Sequence, residues 1–143
     1  MTAHLHDTTS AALENVNVVG LDPMPTPAQV HERVPMTPAA AATVARGREA
    51  LRAILERRDP RLFVVVGPCS IHDPASAIDY AQRLARLAAE VSETMLVLMR
   101  VYFEKPRTAT GWKGFINDPR IDDSFHIAEG ITAARRLLVD IGE

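Results

Sequence analysis

The sequence predicts an α/β fold built on parallel strands, and three observations carry that prediction. Two runs, Leu62-Phe63-Val64-Val65-Val66 and Met95 to about Val101, are apolar without alternating, Arg100 aside, as expected of strands covered on both faces. Each run leads into a loop and then a segment with helical periodicity. The order is helix, strand, helix, strand, loop, helix, and two successive βα units imply parallel strands with helical crossovers.

Taken in order, residues 1 to 36 carry little periodic pattern, and Pro23, Pro25, Pro27 and Pro35 interrupt helix and strand alike. This stretch is expected to be an N-terminal extension. It is either a flexible tail or an arm that docks on another subunit through Val16, Val18, Val19, Leu21 and Met24. Residues 37 to 143 form the domain proper. Thr37-Pro38 joins a hydroxyl cap to a proline at the first helical position, so a helix is expected to about Arg57, with Val44, Leu51, Ile54 and Leu55 on its apolar side. Asp59-Pro60 ends it, and a strand follows from Arg61 to Val66. Asp73-Pro74 repeats the cap signal. The helix to about Ser92 places Ile78, Ala81, Leu84, Ala85, Ala88 and Val91 on one stripe. After the second strand, a loop from Phe103 to about Asp122 is longer than passive connections usually are. Asp123 is expected to cap a last helix, Ser124 to about Ile141, with Ile127, Ile131, Ala134, Leu138 and Ile141 inward.

A length of 143 residues suits about one domain. The net charge of −2 argues against a protein whose main task is gripping nucleic acid. One cysteine cannot form an internal disulfide, the N-terminus lacks a signal pattern, and no apolar run approaches the ~20 residues that span a bilayer. A cytoplasmic protein is expected. Two strands are too few for an open parallel sheet and far too few for a barrel of eight βα units. The expectation is therefore the first units of a (β/α)8 barrel, cut short, behind an N-terminal extension.

The ligand face of α/β folds lies at the carboxyl ends of strands. Gly67-Pro68-Cys69-Ser70-Ile71-His72-Asp73 sits there after the first strand. A lone cysteine is most often a small buried residue. At a strand end with polar neighbours, its thiolate could instead bind a divalent metal or act as a nucleophile. His72 could join it, but a catalytic ion needs three or more ligands. On the second strand end, Arg100, Lys105 and Arg107 put three cations in eight residues, Pro106 stiffens the loop, and Thr108 adds a hydroxyl. Arg offers a planar fork to carboxylate or phosphate and Lys a point charge. The solvated-face reading of such a charge run competes with an anion clamp beside Cys69. The Trp112 to Pro119 stretch could cover the core, close over the site or meet another subunit, and His126 is read as surface.

Gly-Pro-Cys-Ser-Ile-His-Asp at 67–73, Met-Arg-Val-Tyr-Phe-Glu-Lys-Pro-Arg-Thr at 99–108 and Gly-Trp-Lys-Gly-Phe-Ile-Asn-Asp-Pro at 111–119 resemble type I 3-deoxy-D-arabino-heptulosonate-7-phosphate (DAHP) synthase over roughly residues 35 to 143. The resemblance implies a (β/α)8 barrel, assembly as dimers or tetramers, and a divalent metal such as Mn, Fe, Co or Zn. The implied reaction is the condensation of phosphoenolpyruvate with erythrose 4-phosphate, the first step of the shikimate pathway, often inhibited by an aromatic amino acid. It further implies Cys69 as metal ligand and catalytic residue, Arg100 and Lys105 holding phosphoenolpyruvate, Arg107 and Thr108 holding erythrose 4-phosphate, and Lys105 in proton transfer. The family's remaining metal ligands, a His, a Glu and a Asp, belong to later βα units, so this chain alone is expected to be inactive. Three other readings stand beside this one: a 3-deoxy-D-manno-octulosonate 8-phosphate synthase relative, against which Lys-Pro-Arg-Thr at 105–108 speaks, a non-catalytic fragment that binds a full-length partner, and a truncated chain with no function of its own.

Overall fold

The computed structural model describes residues 16–18, 20–105 and 110–143. Along them run α1 (Pro27–Arg33), α2 (Pro38–Leu55), β1 (Leu62–Val66), α3 (Pro74–Glu90), β2 (Met95–Met99) and α4 (Ile127–Gly142). β1 and β2 pair in parallel, from Leu62 opposite Met95 to Val66 opposite Met99. The expected parallel arrangement is present, with α3 as the crossover between the strands.

The helix starts follow capping chemistry. The Thr37 hydroxyl accepts from the Ala40 N–H at 3.2 Å, and Pro38 takes the first helical position. The Asp73 carboxylate accepts from the N–H groups of Ala75 and Ser76, both at 3.1 Å, and Pro74 follows it. The same chemistry builds α1, which the proline-based reading of residues 1 to 36 missed. Thr26 accepts from the Gln29 N–H, and the Gln29 side chain accepts from the Thr26 N–H at 2.9 Å. Pro27 stands where its missing N–H costs nothing, so it opens a helix rather than breaking one. This segment is also tied down: Val34 is buried with Ala40 and Val139, and Arg135 Nε donates to the Val34 carbonyl at 2.7 Å. Ahead of it, Val16, Val18, Leu21 and Met24 are exposed, and Val19 lies outside the described residues.

Two expectations are corrected. The first concerns the strands, read as covered on both faces. β1 is largely open, with Leu62 66% and Val65 57% exposed. Among the described residues the sheet has two strands, α3 packs on β2, and α2 lies against both strands, which leaves most of β1 uncovered. The second concerns the last helix. It begins at Ile127 behind His126, not behind Asp123. Ile121, Asp123 and Phe125 have φ of 57°, 59° and 52°, left-handed values that a right-handed helix cannot include. Buried Asp118 holds that turn, its carboxylate accepting from the backbone N–H groups of Asp122 at 3.4 Å and Asp123 at 3.3 Å. The expected inward face holds at Ala134, which is buried, and at Ile127, Ile131 and Ile141, which are half-buried, but Leu138 is 49% exposed and Leu137 is buried in its place. His126 is exposed, as read. On α3 the expected stripe is half-buried apart from Ala85, which is exposed. Among the described residues, no helix is long and apolar enough to cross a membrane.

The main core gathers Ile71, Ala77, Phe103, Phe115, Ala134 and Leu137. Three of these, Ile71, Phe103 and Phe115, come from loops at the carboxyl ends of the strands, so those loops are anchored in the core. Gly130 lets α4 press on this layer, since a Cβ there would lie 2.1 Å from the Ile116 carbonyl oxygen. Gly130→Ala is therefore expected to destabilise the chain by about 2 kcal/mol in chemical denaturation. Gly47→Ala, within α2 and with nothing within 4 Å of the added Cβ, should stabilise it by about 1 kcal/mol. Equal effects at the two glycines would contradict the packing described.

Candidate active site

The pairing of β1 and β2 does not stop at the strand ends. Arg100 N–H donates to the Val66 carbonyl at 2.8 Å, and Ile71 N–H donates to the Tyr102 carbonyl at 2.8 Å. Between these bonds the backbones run so close that a Cβ on Gly67 would sit 2.2 Å from the Arg100 carbonyl oxygen. Only glycine fits, and this approach sets Cys69 against the segment from Arg100 to Lys105.

Cys69 is exposed, not packed in hydrocarbon. Its sulfur accepts from Lys105 Nζ at 3.3 Å. Arg100 Nη1 donates to the carbonyls of Pro68 at 2.8 Å and Cys69 at 2.7 Å. The Arg100 guanidinium carbon stands 4.2 Å from the Tyr102 ring centre, a cation–π contact. The structure thus brings together Cys69, Arg100 and Lys105. Arg107 and Thr108 lie outside the described residues.

Lys105 is held from behind by the 111–119 segment. Its N–H donates to the Lys113 carbonyl at 3.2 Å, and Phe115 N–H donates to the Phe103 carbonyl at 2.8 Å. The bridge between Glu104 and Gly114 requires a glycine with φ of 113°, since a Cβ would come within 2.4 Å of the Phe103 carbonyl oxygen. Asn117 Nδ2 donates to Glu104 Oε2 at 2.7 Å. Phe115 is buried with its ring stacked on Phe103 at 5.9 Å, so this part of the loop covers core. Trp112 donates from Nε1 to the Asp118 carbonyl at 2.8 Å and meets His72 edge-on at 6.4 Å.

Arranged this way, the strand tips form an open cationic wall with one soft donor, suited to a carboxylate or phosphate. A half-open pocket of about 180 Å³ lies on the α3 side of the Cys69 loop, between Ser70, His72, Asp73 and Tyr80. The donor set does not by itself fit a catalytic metal. Among the described residues, no group of three or more His, Cys, Asp or Glu side chains could hold an ion. His72 faces Trp112 instead.

The sequence reading passed over Tyr102, Glu104, Asn117 and Asp118. Tyr102 carried a usable signal: it lies two residues beyond Arg100, and alternate residues of an extended chain share a side. The partners of Asn117 and Asp118 depend on how the loop folds back, and no spacing rule announces them.

Asp73, at the end of the Cys69 loop, titrates below the usual carboxylate range. The Ser76 hydroxyl is the largest cause, followed by the Ser76 and Ala75 N–H groups. A folded-state value below the unfolded one stabilises the fold above about pH 4 and is lost as pH falls through the depressed value. Thermal unfolding followed from pH 7 to pH 2 should show a smaller acid loss in Asp73→Asn, which keeps a cap without a titrating group. Identical profiles would contradict the assignment. The cationic wall is tested by alkylation of Cys69: the rate ratio of anionic iodoacetate to neutral iodoacetamide should fall several-fold in Lys105→Met. An unchanged ratio would remove Lys105 from the anion's path.

Comparisons with known proteins point to one family. The model of the DAHP synthetase I family matches residues 30–140. A phospho-2-dehydro-3-deoxyheptonate aldolase of Amycolatopsis methanolica is 52% identical over 92% of this chain and 65% of its own length. The Tyr-sensitive enzyme of that name from Salmonella typhimurium is 50% identical over 91% of this chain and 36% of its own length. The solved phospho-2-dehydro-3-deoxyheptonate aldolase of Francisella tularensis superposes with a TM-score of 0.81 at 42% identity, over 88% of this chain and 38% of that one. This chain therefore spans from about a third to about two thirds of the length of the relatives it matches. With the strand-end motifs placed side by side and the family model matched over most of its length, the chain belongs to the DAHP synthetase I family.

Proposed function

We propose that this chain supplies the first wall of the active site of a 3-deoxy-7-phosphoheptulonate synthase, which condenses phosphoenolpyruvate with erythrose 4-phosphate to give DAHP and phosphate. The observation that carries the reading is the cluster of Lys105, Cys69 and Arg100 on adjacent strand tips. Relatives carrying the aldolase name at about 50% identity support it.

In this reading Arg100 and Lys105 neutralise the carboxylate and phosphate of phosphoenolpyruvate and fix its enol carbon toward the aldehyde of erythrose 4-phosphate. Arg107 and Thr108 hold the sugar phosphate. The enol carbon bonds to the aldehyde carbon, whose oxygen takes a proton that the Lys105 ammonium can deliver. Water then adds to the cationic centre left on the former phosphoenolpyruvate, and inorganic phosphate departs. A divalent metal, with Cys69 as one ligand, would supply polarisation of the aldehyde when bound. Its other donors are not found among the described residues, and no step above depends on it.

The same reading makes the two parallel strands the opening part of a (β/α)8 barrel, with residues 1–36 as an arm and 37–143 as barrel. The uncovered face of β1 and the greater length of the matched relatives support it. Relatives named Tyr-, Phe- and Trp-sensitive support inhibition of the whole enzyme by an aromatic amino acid. A cytoplasmic homo-oligomer goes with that assignment.

The test is a chimera in which residues 30–140 replace the matched segment of the Salmonella typhimurium relative. It should release phosphate from phosphoenolpyruvate with erythrose 4-phosphate and far less with arabinose 5-phosphate. Arg100→Met and Lys105→Met should each lower kcat/KM by about 100-fold or more. Unchanged kcat/KM in both variants would overturn the proposal. The present chain alone should release no phosphate.

A further inference from the structure

We propose that Tyr102 is a positioning residue for Arg100, holding the guanidinium so that its Nε–Nη2 edge stands ready for a carboxylate or phosphate. The inference rests on the anion-clamp reading of Arg100 given above and adds to it the group that orients the clamp.

A guanidinium has five N–H donors in a fixed fork. The two on Nη1 have partners, the carbonyls of Pro68 and Cys69. No described residue engages the Nε–Nη2 edge, which is a side of the fork suited to two parallel bonds to an anion. Two bonds from one nitrogen still allow the plane to rock about that end. The Tyr102 ring, 4.2 Å from the guanidinium carbon, opposes that rocking from one face.

The ring is itself well placed to do so. The Tyr102 carbonyl accepts from the N–H of Ile71 at 2.8 Å, and Ile71 belongs to the buried core. Tyr102 therefore ties three things together: the core through Ile71, the Cys69 loop through the same bond, and Arg100 through its ring. Long side chains lose much rotamer freedom when a ligand orders them. A clamp ordered beforehand binds more tightly for that reason.

The experiment compares wild type with Tyr102→Phe, which keeps the ring and loses the hydroxyl, and with Tyr102→Leu and Tyr102→Met, which lose the ring. Nitrogen relaxation of Arg100 Nε in ¹⁵N-arginine-labelled chain reads the order of the guanidinium. It should be rigid in wild type and Tyr102→Phe and mobile in the other two. In parallel, the iodoacetate to iodoacetamide rate ratio at Cys69 should be kept in Tyr102→Phe. It should fall about 2- to 5-fold in the ringless variants, the range a cation–π contact at such a site supports. The iodoacetamide rate should stay constant, which a general loss of structure would not allow. A rigid Arg100 Nε without the ring, or one freed as much by Phe as by Leu, overturns the proposal. A wild-type ratio equal to that of Arg100→Met counts against the anion clamp itself, and the relaxation arm then still decides the role of Tyr102.

Discussion

The backbone approach at Gly67 is the constraint on which the site depends. Two parallel strands diverge once their ladder ends, unless something keeps their extensions together. Here the bonds from Arg100 to Val66 and from Ile71 to Tyr102 bracket a stretch where a single methyl group would collide with the Arg100 carbonyl. Within that stretch, an exposed sulfur meets an ammonium and a guanidinium meets two loop carbonyls. The contact buries little charge, because Arg100 and Lys105 are only half-buried while Ile71, Phe103 and Phe115 anchor the loops beneath.

The second feature is an imbalance of coverage. The loops at the carboxyl ends are packed and bridged, whereas β1 presents Leu62, Phe63, Val64 and Val65 to solvent. Fully burying one such side chain is worth about 1.5–3 kcal/mol, so a covered β1 would add several kcal/mol that this chain does not gain. Open apolar strands with unpaired edges also favour association between copies. The site wall is thus built on the better-packed end of a sheet whose β1 face is open to solvent.

Much of this was legible in the sequence, for identifiable reasons. The unalternating strands, the Thr37-Pro38 and Asp73-Pro74 starts and the parallel pairing follow from local pattern. The meeting of Cys69 with Arg100 and Lys105 follows from parallel topology, which puts both strand ends on one edge. What escaped reading depended on distant partners or on rules in competition. Pro27 reads as a breaker on its own, and only the capping box of Thr26 and Gln29 around it marks a helix start. Asp123 resembles a cap and so points to a start for α4 three residues early, yet buried Asp118 holds a turn with left-handed values there. The exposure of β1 could not be read from its own residues, since an apolar strand looks the same in sequence whether its faces are covered or open.

Close approach at Gly67 brings the Cys69 sulfur and the Lys105 ammonium into contact. Proton–proton cross-relaxation between the Cys69 β and Lys105 ε positions measures that contact directly. A cross-peak in wild type that disappears in Gly67→Ala, with the Ile71 and Phe115 core signals retained, is the result expected. No cross-peak in the folded wild-type chain, or an unaltered one in Gly67→Ala, would contradict it.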